Sequence, residues 1–474
     1  MIQNFGANLA FAPAVVLTPR NEDDLLALMS QHRGKRWRAV GRMHCWSEAV
    51  IADEVLVDLR LMNDVQVYGT GDLAMAQVGA GCQIKHLLDR LGAIGNYTTP
   101  SLGLITEQTI AGATATGTHG SGRHSLSHYV AHARVAVYDP ITQDPTIRVI
   151  DHGPELQAVR CSLGCLGIVT TVMLPVRPQY QIEEHFARYA SLAEVIAAEG
   201  DYPLQQFYLV PWRWDFFVQH RRESDRPRSW HAWLYRGYWA VGMDLAFHLL
   251  VRLLARQLPV WWTKFFFRHV MGWLVPRGWH VVDRADRQLT MKHELFRHIE
   301  IEMFVKQTQL PAAIDYVTWL LQHCGGAKST PPNDIEARLR AAEVWPEVEK
   351  LRGTYCQHYP ICIRKVLADD TLISMAGGGE NWYAISFISY AVPSERQRFF
   401  GFAAFLAQTM ASLFVARPHW GKYCPLSPDL LVKLYPDFEA FRSIAAQLDS
   451  DHVFANAWCR QLLKTSSLDP ADIA

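Results

Sequence analysis

The most constraining feature of this sequence is a run of fourteen residues, numbers 109–122, in which nearly every side chain is small. It reads Thr-Ile-Ala-Gly-Ala-Thr-Ala-Thr-Gly-Thr-His-Gly-Ser-Gly. So few large side chains allow the backbone to approach a flat ligand closely, and we therefore expect the run to line a ligand site. A cluster of tight β-turns is the alternative interpretation of the same composition.

The segments around this run alternate between predicted strands and helices. Strands are predicted at Val15–Leu17 and Trp37–Val40, with a helix between them that Asn21 caps ahead of an acidic first turn. A chain of 474 residues is expected to contain about two to three domains. We predict an α+β fold in three segments, residues 1–178, 179–410 and 411–474, with an aromatic helical insert at about residues 230–280.

Charge and cysteine usage narrow the class of protein. Lysine plus arginine and aspartate plus glutamate both number 46, so no overall basic field would attract a nucleic acid. The nine cysteines are odd in number and irregularly spaced, which argues against a disulfide framework and favours a reducing compartment. The N-terminus lacks the pattern of a secretory signal. We expect a cytoplasmic protein or one at the membrane periphery.

Common nucleotide and metal motifs are incomplete. The run Gly79-Ala80-Gly81 follows a predicted strand, but the third glycine of the dinucleotide fingerprint is absent. His293 and His298 are five residues apart, whereas two zinc ligands on one helical face need a spacing of four. We expect no metal site.

Two further segments carry groups suited to a charged cofactor. The first is the loop Gly41-Arg42-Met43-His44-Cys45-Trp46-Ser47, whose backbone N–H groups could wrap around a pyrophosphate. The second is Pro418-His419-Trp420-Gly421-Lys422, which places a fixed cation beside aromatic rings and could stabilise negative charge on a bound cofactor. Taken alone, the second segment is equally typical of a surface turn.

Together, the three segments resemble those of the vanillyl-alcohol-oxidase-type (PCMH-type) flavoproteins, and within them the aldonolactone and alditol oxidases. The shared features are a histidine-bearing loop, a T-I-A-G…T-G-T-H-G run and a terminal H-W-x-K, and the resemblance covers most of the chain. It implies a two-part FAD-binding domain and a mixed α/β substrate (cap) domain. Gly103, at the position of the family's oxygen gatekeeper, favours the aldonolactone oxidase branch.

The resemblance also implies cofactor roles for individual residues. His44 matches the histidine joined covalently to the flavin 8α-methyl group, and Lys422 matches the lysine beside flavin N1 and the C2 carbonyl. Gly167 and Val169 are expected on the adenine side. The full set of implied FAD-binding residues is Gly41, Arg42, Met43, His44, Cys45, Trp46, Thr109, Gly112, Ala113, Thr116, Gly117, His119, Gly120, Gly167, Val169 and Lys422.

The implied reaction is oxidation of a CH–OH group of a sugar lactone or polyol. Hydride would pass to flavin N5, and oxygen would take the electrons to give peroxide. A glycine at position 103 leaves space for oxygen beside the flavin. Arg364 and Lys422 would orient the hydroxyl and offset the charge of the flavin.

The general base and the substrate are less constrained. Glu107, Glu302 and His419 are candidates for the base, and the sequence does not choose among them. The family's Glu-x-Arg is replaced here by Cys362-Ile363-Arg364. Because a thiol accepts hydrogen bonds only weakly, we expect the substrate to differ from the usual lactones.

Two other functions stay open on the sequence. One is a flavin-dependent dehydrogenase or reductase of a lipid-like substrate at a membrane, motivated by Cys362 and the aromatic insert. The other is a membrane-associated binding or scaffold protein that kept the fold without catalysis. The presence of His44, Lys422 and the small-residue run argues against the second.

The excess of aromatic residues is concentrated in the insert, between Trp230 and Trp279. Charges interrupt this segment too often for a transmembrane helix. A polar stripe recurs at every fourth position of its helix, with apolar residues on the other faces: Asp244, His248, Arg252 and Arg256. We expect the helix to lie in a membrane interface, with a buried inter-domain or dimer contact as the alternative.

Overall fold

The computed structural model describes residues 1–291, 295–332 and 334–464 of the chain. His293, one of the two histidines considered for zinc, lies outside these residues. Within them, three β-sheets form the frame and helices pack against the sheets. The mixture of parallel and antiparallel sheets with helices confirms the predicted α+β class.

Residues 1–178 contain two of the three sheets. The smaller sheet has three parallel strands in the order Val15–Leu17, Val55–Asp58 and Trp37–Val40. The larger has five antiparallel strands in the order Pro145–Ile150, His132–Tyr138, Ile168–Pro175, Met75–Gly79 and Val65–Tyr68. Two short strand pairs complete this region: Ile2–Gln3 with Ala10–Phe11, and Tyr97–Thr98 with Arg177–Pro178.

The third sheet has eight antiparallel strands and forms the frame of the cap. Its strand order is Val281–Arg284, Gln181–Tyr189, Phe216–Ser224, Gln206–Leu209, Ile361–Val366, Trp382–Ser389, Ile299–Lys306 and Arg417–Pro418. The last of these strands comes from the C-terminal segment, where Pro418 pairs with Met303. The residues that follow Pro418 are therefore held beside the strand Ile299–Lys306.

The α-helices connect and cover the sheets. They are Glu22–Gln31, Ile84–Gly95, Ile110–Ala115, Gly153–Arg160, Leu192–Ala197, Ala232–Tyr238, His248–Arg256, Val260–Phe265, Met271–Leu274, Ala285–Gln288, Leu310–Cys324, Ile335–Ala341, Trp345–Leu351, Gln397–Phe414, Pro428–Leu434, Phe438–Leu448 and Ala457–Leu463. Asn21 caps the first of them, as predicted, by accepting a hydrogen bond from the N–H of Asp24 at 2.8 Å.

The C-terminal residues return to the N-terminal sheets. The expected boundary at residue 410 falls inside the helix Gln397–Phe414, which is continuous. Beyond it, Asn456 Nδ2 donates hydrogen bonds to the carbonyls of Glu48 and Ile51 at 2.8 and 3.0 Å. The end of the chain therefore packs beside its beginning.

Residues 232–274 form two helices, which we call the accessory helices. The first runs from Ala232 to Arg256 and is π-helical over Trp239–Phe247, and the second covers residues 260–274 and is π-helical over Phe266–Val270. Contrary to the prediction that charges interrupt this segment too often, the first is long and apolar enough to cross a membrane, by length and composition alone. Its inner face packs on the cap in a hydrophobic core separate from the main one.

Candidate active site

One cavity of about 820 Å³ reaches from the three-stranded sheet to the accessory helices. At one end its wall is made of small residues and loop backbone, and in the middle it carries charged side chains of the eight-stranded sheet. At the other end the wall is aromatic and aliphatic. A concave site with apolar walls and a few convergent polar groups is typical of small-molecule binding.

The loop of residues 41–46 lines the first end of the cavity over its whole length. It follows the strand Trp37–Val40 at the carboxyl edge of the parallel sheet, where ligands of such sheets bind. Met43 adopts a left-handed φ of 57°. The ring of His44 stacks on Phe5 at 4.7 Å, and its Nδ1 lies 3.2 Å from the carbonyl oxygen of Arg42. The structure thus places all six predicted loop residues at the cavity wall.

The small-residue run begins a helix instead of forming a cluster of turns. Thr109 caps the helix Ile110–Ala115 by accepting a hydrogen bond from the N–H of Gly112 at 3.3 Å. Ala113 is buried in the main core, and Gly117 and Gly120 pack against other parts of the chain, so these three lie outside the cavity wall. Four of the predicted residues line the cavity: Thr109, Gly112, Thr116 and His119.

Gly167 and Val169 also line the cavity, next to Ser162–Gly164. Gly167 has a φ of 126°, which favours glycine strongly, and a Cβ there would lie 2.8 Å from the carbonyl oxygen of Ala136. Close approach to the neighbouring strand therefore requires this glycine, whatever the cavity binds.

The C-terminal strand brings the predicted cation to the same wall. The N–H of His419 donates to the carbonyl of Glu302 at 3.0 Å, which holds the residues after Pro418 along the sheet edge. Lys422 forms an ion pair with the carboxylate of Glu300. Its Nζ also lies 4.7 Å from the centre of the Trp46 ring. Loop 41–46 and residues 419–422 therefore meet.

Two buried carboxylates, Glu300 and Glu302, line the middle of the cavity. Within the described part of the chain, Oε1 of Glu302 accepts no hydrogen bond, and His119 Nε2 lies 3.5 Å from it. Burial opposes ionisation of Glu302, but interaction with His119 and Lys422 outweighs it and holds the pKa of this carboxyl well below its usual range. Glu302 is therefore a carboxylate with an unused acceptor oxygen.

His119, Glu302 and His419 bring potential metal-ligand atoms within 4.8 Å of one another. However, His419 Nδ1 accepts a hydrogen bond from the N–H of Gly421 at 2.9 Å, so a neutral ring carries its proton on Nε2. Burial lowers the pKa of His419 to about 3, which keeps the ring neutral. Neutral His419 has no lone pair left for a metal ion, and the geometry favours a hydrogen-bonding cluster.

Arg364 and Cys362 lie on the strand Ile361–Val366 and also line the cavity. Arg364 Nε donates to Gln206 Oε1 at 3.2 Å. Cys362 pairs across the sheet with Ser386, and Ser386 pairs in turn with Glu302. Paired residues of neighbouring strands share a face, so Cys362, Ser386 and Glu302 lie in one row, with the carboxylate of Glu302 two strands away from position 362.

Two residues predicted to be catalytic lie outside the cavity wall. Glu107 forms an ion pair with Lys85 at 2.7 Å, so its carboxylate is engaged away from the charged cluster. A Cβ at Gly103 would lie 2.9 Å from the methyl group of Thr118. In this structure the glycine leaves room for the side chain of Thr118.

The far end of the cavity is suited to hydrocarbon. His248 Nδ1 donates to the carbonyl of Met243 at 2.7 Å, and Tyr359 OH lies 3.2 Å from His248 Nε2, so these polar atoms are satisfied within the protein. Most of the remaining wall is apolar, and its members include Phe186, Phe217, Trp239, Met243, Phe247, Met271, Val275 and Ile388. Asp244 and the buried ion pair of Glu184 with Arg221 also line the cavity on these elements.

Comparison with known families agrees with this geometry. A model of an FAD binding domain matches residues 13–139, and a model described as D-arabinono-1,4-lactone oxidase matches residues 174–462, more than half of the chain. The chain belongs to the D-arabinono-1,4-lactone oxidase family. This match confirms the family resemblance predicted from the sequence. It also confirms the prediction that the protein is an FAD-dependent oxidase that acts on CH–OH groups.

Two relatives of this D-arabinono-1,4-lactone oxidase family member and one solved structure of similar fold are informative. A long-chain alcohol oxidase from an uncultured marine euryarchaeote is 49% identical over 466 residues, which cover 98% of this chain and 97% of that protein. An L-gulono-1,4-lactone dehydrogenase of Mycobacterium tuberculosis is 23% identical over 97% of this chain and 98% of its own length. The crystal structure of cholesterol oxidase from Brevibacterium sterolicum superimposes with a TM-score of 0.71 at 16% identity, covering 98% and 96% of the two chains, which shows a shared fold.

FAD fits the residues that this family member presents. The small, backbone-rich wall of residues 41–46, Gly112 and Ser162–Gly164 would accommodate a diphosphate and a flat ring system. Lys422, beside Trp46 of that wall, would offset negative charge on the flavin. The residue types at this wall are therefore compatible with FAD, the cofactor of the family.

Glu300, Ser386 and Gln206 belong to the site but were missed from the sequence. Glu300 and Glu302 are two residues apart in an otherwise apolar strand, and this period places both carboxylates on one face. That signal could have identified the pair. No comparable sequence signal identifies the cavity residues of the accessory helices, because an amphipathic pattern does not show which face of a helix points inward.

Proposed function

We propose that this protein oxidises the terminal hydroxyl of a long-chain alcohol to the aldehyde, with oxygen as the electron acceptor and hydrogen peroxide as the second product. This substrate differs from the sugar lactone or polyol that the sequence predicts. The observation that carries the proposal is a cavity that joins a charged cluster to a largely apolar end. The 49% identical relative is named a long-chain alcohol oxidase, which supports the same substrate class.

The charged cluster would bind and orient the hydroxyl group. Arg364 and Glu302 both line this part of the cavity, and Oε1 of Glu302 is available to accept the hydroxyl proton in a hydrogen bond. A carboxylate with so low a pKa is a weak base toward an alcohol. It is adequate here because the hydroxyl becomes strongly acidic as hydride leaves the carbon. Of the three candidates for the general base, Glu107, Glu302 and His419, we therefore propose Glu302, because Glu107 is paired with Lys85 away from the charged cluster.

Bound FAD supplies the hydride acceptor and the two-electron path to oxygen. The chain supplies position and charge: Lys422, beside Trp46, would stabilise negative charge on the cofactor, and the apolar wall would exclude water from the alkyl chain. Cys362 fits this substrate better than a carboxylate would, because a buried thiol costs little beside methylene groups.

We also propose that FAD is attached covalently through His44. This histidine lines the cavity and is held by the carbonyl of Arg42 and the ring of Phe5, so its position does not depend on the cofactor. Acid precipitation of the purified protein tests the bond. Flavin that stays with the precipitate is expected, and flavin recovered entirely in the supernatant contradicts covalent attachment.

An oxygen electrode with a coupled peroxide assay tests the substrate. Purified holoenzyme is expected to consume oxygen and form peroxide in equal amounts with 1-dodecanol, at a higher kcat/KM than with L-gulono-1,4-lactone or xylitol. A higher kcat/KM with the lactone or the polyol would refute the proposal. Turnover that needs an added electron acceptor would indicate a dehydrogenase, and a folded protein without flavin would indicate a binding protein.

A further inference from the structure

The first accessory helix is turned opposite to an ordinary surface helix. Its polar stripe faces the protein: Asp244 and His248 line the cavity, Arg252 lies 4.7 Å over the ring of Phe296, and Arg256 donates to the carbonyl of Tyr390 at 2.8 Å. Its apolar stripe is exposed at every fourth position, at Val241, Leu245, Leu249 and Leu253. In a helix that faces water, the apolar stripe points to the core.

The second accessory helix extends the same exposed surface. Thirteen of the twenty-three exposed large hydrophobic residues in the described chain lie within residues 230–273, and Trp273 is 84% exposed. We call this surface the apolar face; its members are Trp230, Trp233, Leu234, Val241, Leu245, Leu249, Leu253, Val260, Trp261, Trp262, Phe265, Val270 and Trp273. An exposed patch concentrated in this way marks an interaction surface.

The charge of the segment identifies the partner. Residues 230–280 contain six lysines and arginines and one acid, Asp244, which lines the cavity. Arg236 is paired with Asp283, and Arg252 and Arg256 face the protein, so these three add little to the charge that a partner would meet. Arg268 and Arg277 are exposed beside the apolar face. In a symmetric dimer built on this face, two such segments would meet and repel each other. An anionic lipid surface would attract them.

We propose that the apolar face docks on the surface of an anionic lipid bilayer, with both accessory helices lying in the interface. A membrane-spanning orientation would move Arg252 and Arg256 into hydrocarbon and break their contacts with Phe296 and Tyr390. The inner side of the same helix lines the apolar end of the cavity. On the proposed function, this arrangement places the cavity next to the phase in which a long-chain alcohol dissolves.

Vesicle flotation of the holoenzyme tests the docking. The wild type is expected to float with vesicles of phosphatidylcholine and phosphatidylglycerol. Removing three exposed side chains together, by Leu245→Ser, Leu249→Ser and Trp261→Ser, should lower the partition coefficient about a hundredfold, since each loses about fivefold, or about 1 kcal/mol. The matched control is Leu73→Ser with Ile141→Ser, which are 86% and 90% exposed outside the apolar face and should leave flotation unchanged.

A charge variant tests the choice of lipid. Arg268→Gln with Arg277→Gln should reduce binding to anionic vesicles about thirtyfold, at roughly a fivefold loss per arginine, and should not affect binding to pure phosphatidylcholine. Circular dichroism and the flavin spectrum verify that each variant is folded. Wild-type protein that stays with the soluble fraction at low salt refutes the proposal, as does equal flotation of the triple variant and its control.

Two further outcomes separate this proposal from its alternatives. A wild-type dimer in light scattering that the triple variant converts to a monomer would show that a second copy covers the face, which refutes lipid docking. Protein that oxidises 1-dodecanol in detergent micelles but does not float refutes the docking and leaves the proposed function intact. Protein that floats but oxidises no alcohol refutes the function alone.

Discussion

Replacing Ala240 by phenylalanine should shorten the alkyl chain that the cavity accepts. Ala240 lies in the π-helical part of the first accessory helix and lines the apolar end of the cavity beside Trp239 and Met243. A phenyl ring at this position would occupy space that the tail of the substrate is proposed to fill. The charged cluster on the eight-stranded sheet would be left in place, so we expect short alcohols to be oxidised as before.

The size of the effect follows from burial of the tail. Each methylene transferred from water to an apolar wall contributes about 0.8 kcal/mol, which is about a fourfold gain in kcat/KM per carbon. The wild type should show this slope across saturated 1-alkanols until the tail fills the cavity, and then a plateau. An alcohol with three methylenes excluded by the phenyl ring should lose about sixtyfold. The assay is oxygen uptake with detergent-dispersed alcohols of increasing length.

The matched control is Ala246→Phe, the same change on the exposed side of the same helix, away from the cavity. It should retain the wild-type slope and plateau. If Ala240→Phe and Ala246→Phe gave the same profile, or if kcat/KM of the wild type did not rise with chain length, the tail would not lie where we place it.

Three further predictions concern the charged end. Lys422→Met should lower kcat about a hundredfold while the flavin spectrum persists. Lys422→Arg should not restore kcat, because stabilising the flavin charge needs a compact cation. Stopped-flow reduction of the flavin measures the effect of both variants. Glu302→Gln should lower kcat about a hundredfold or more with little change in KM, and unchanged kcat would remove Glu302 as the proton acceptor. The third prediction concerns stability: burial lowers the pKa of His419 from 6.5 to about 3. Below about pH 6.5 this histidine therefore gains a proton in the unfolded chain only, and the free energy of unfolding should fall by about 2 kcal/mol by pH 5. His419→Asn should abolish this loss, which is measured by urea unfolding at about pH 7.5 and pH 5. If the variant kept the pH dependence of the wild type, the buried neutral ring would be contradicted.

The sequence predicted many of the residues that line the first end of the cavity and few of those that line the apolar end. Local motifs located Gly41 to Trp46, His119 and Lys422 because each carries a residue type that few structural roles require. Glu107 and Gly103 do not line the cavity, although they are close in sequence to motif residues that do. Closeness in sequence does not show which way a residue faces: Glu107 pairs with Lys85, and Gly103 packs against Thr118. Only the sheet register could place Glu302 in the row that contains Cys362.

The accessory helices show a different limit. The polar stripe through Asp244 and His248 was found from the spacing, but spacing alone does not distinguish an inner from an outer stripe. The direction depends on the cap, where a cavity and the groups around Phe296 and Tyr390 receive the polar side chains. Amphipathic periodicity therefore predicted the helix, while the tertiary contacts decide its orientation.

The junction between residues 41–46 and 419–422 has a consequence for biosynthesis. The N–H of Trp46 donates to the carbonyl of Gly421 at 2.9 Å, and the hydroxyl of Ser47 donates to that of Trp420 at 2.6 Å. The ribosome makes the first partner of each bond early and the second near the end of translation. The histidine loop therefore cannot acquire its final neighbours until almost the whole polypeptide has emerged, and flavin incorporation is expected to be a late, post-translational event. A chain that stops before residue 417 could form the first two sheets yet would lack Lys422, the cation that we propose offsets the charge of the flavin.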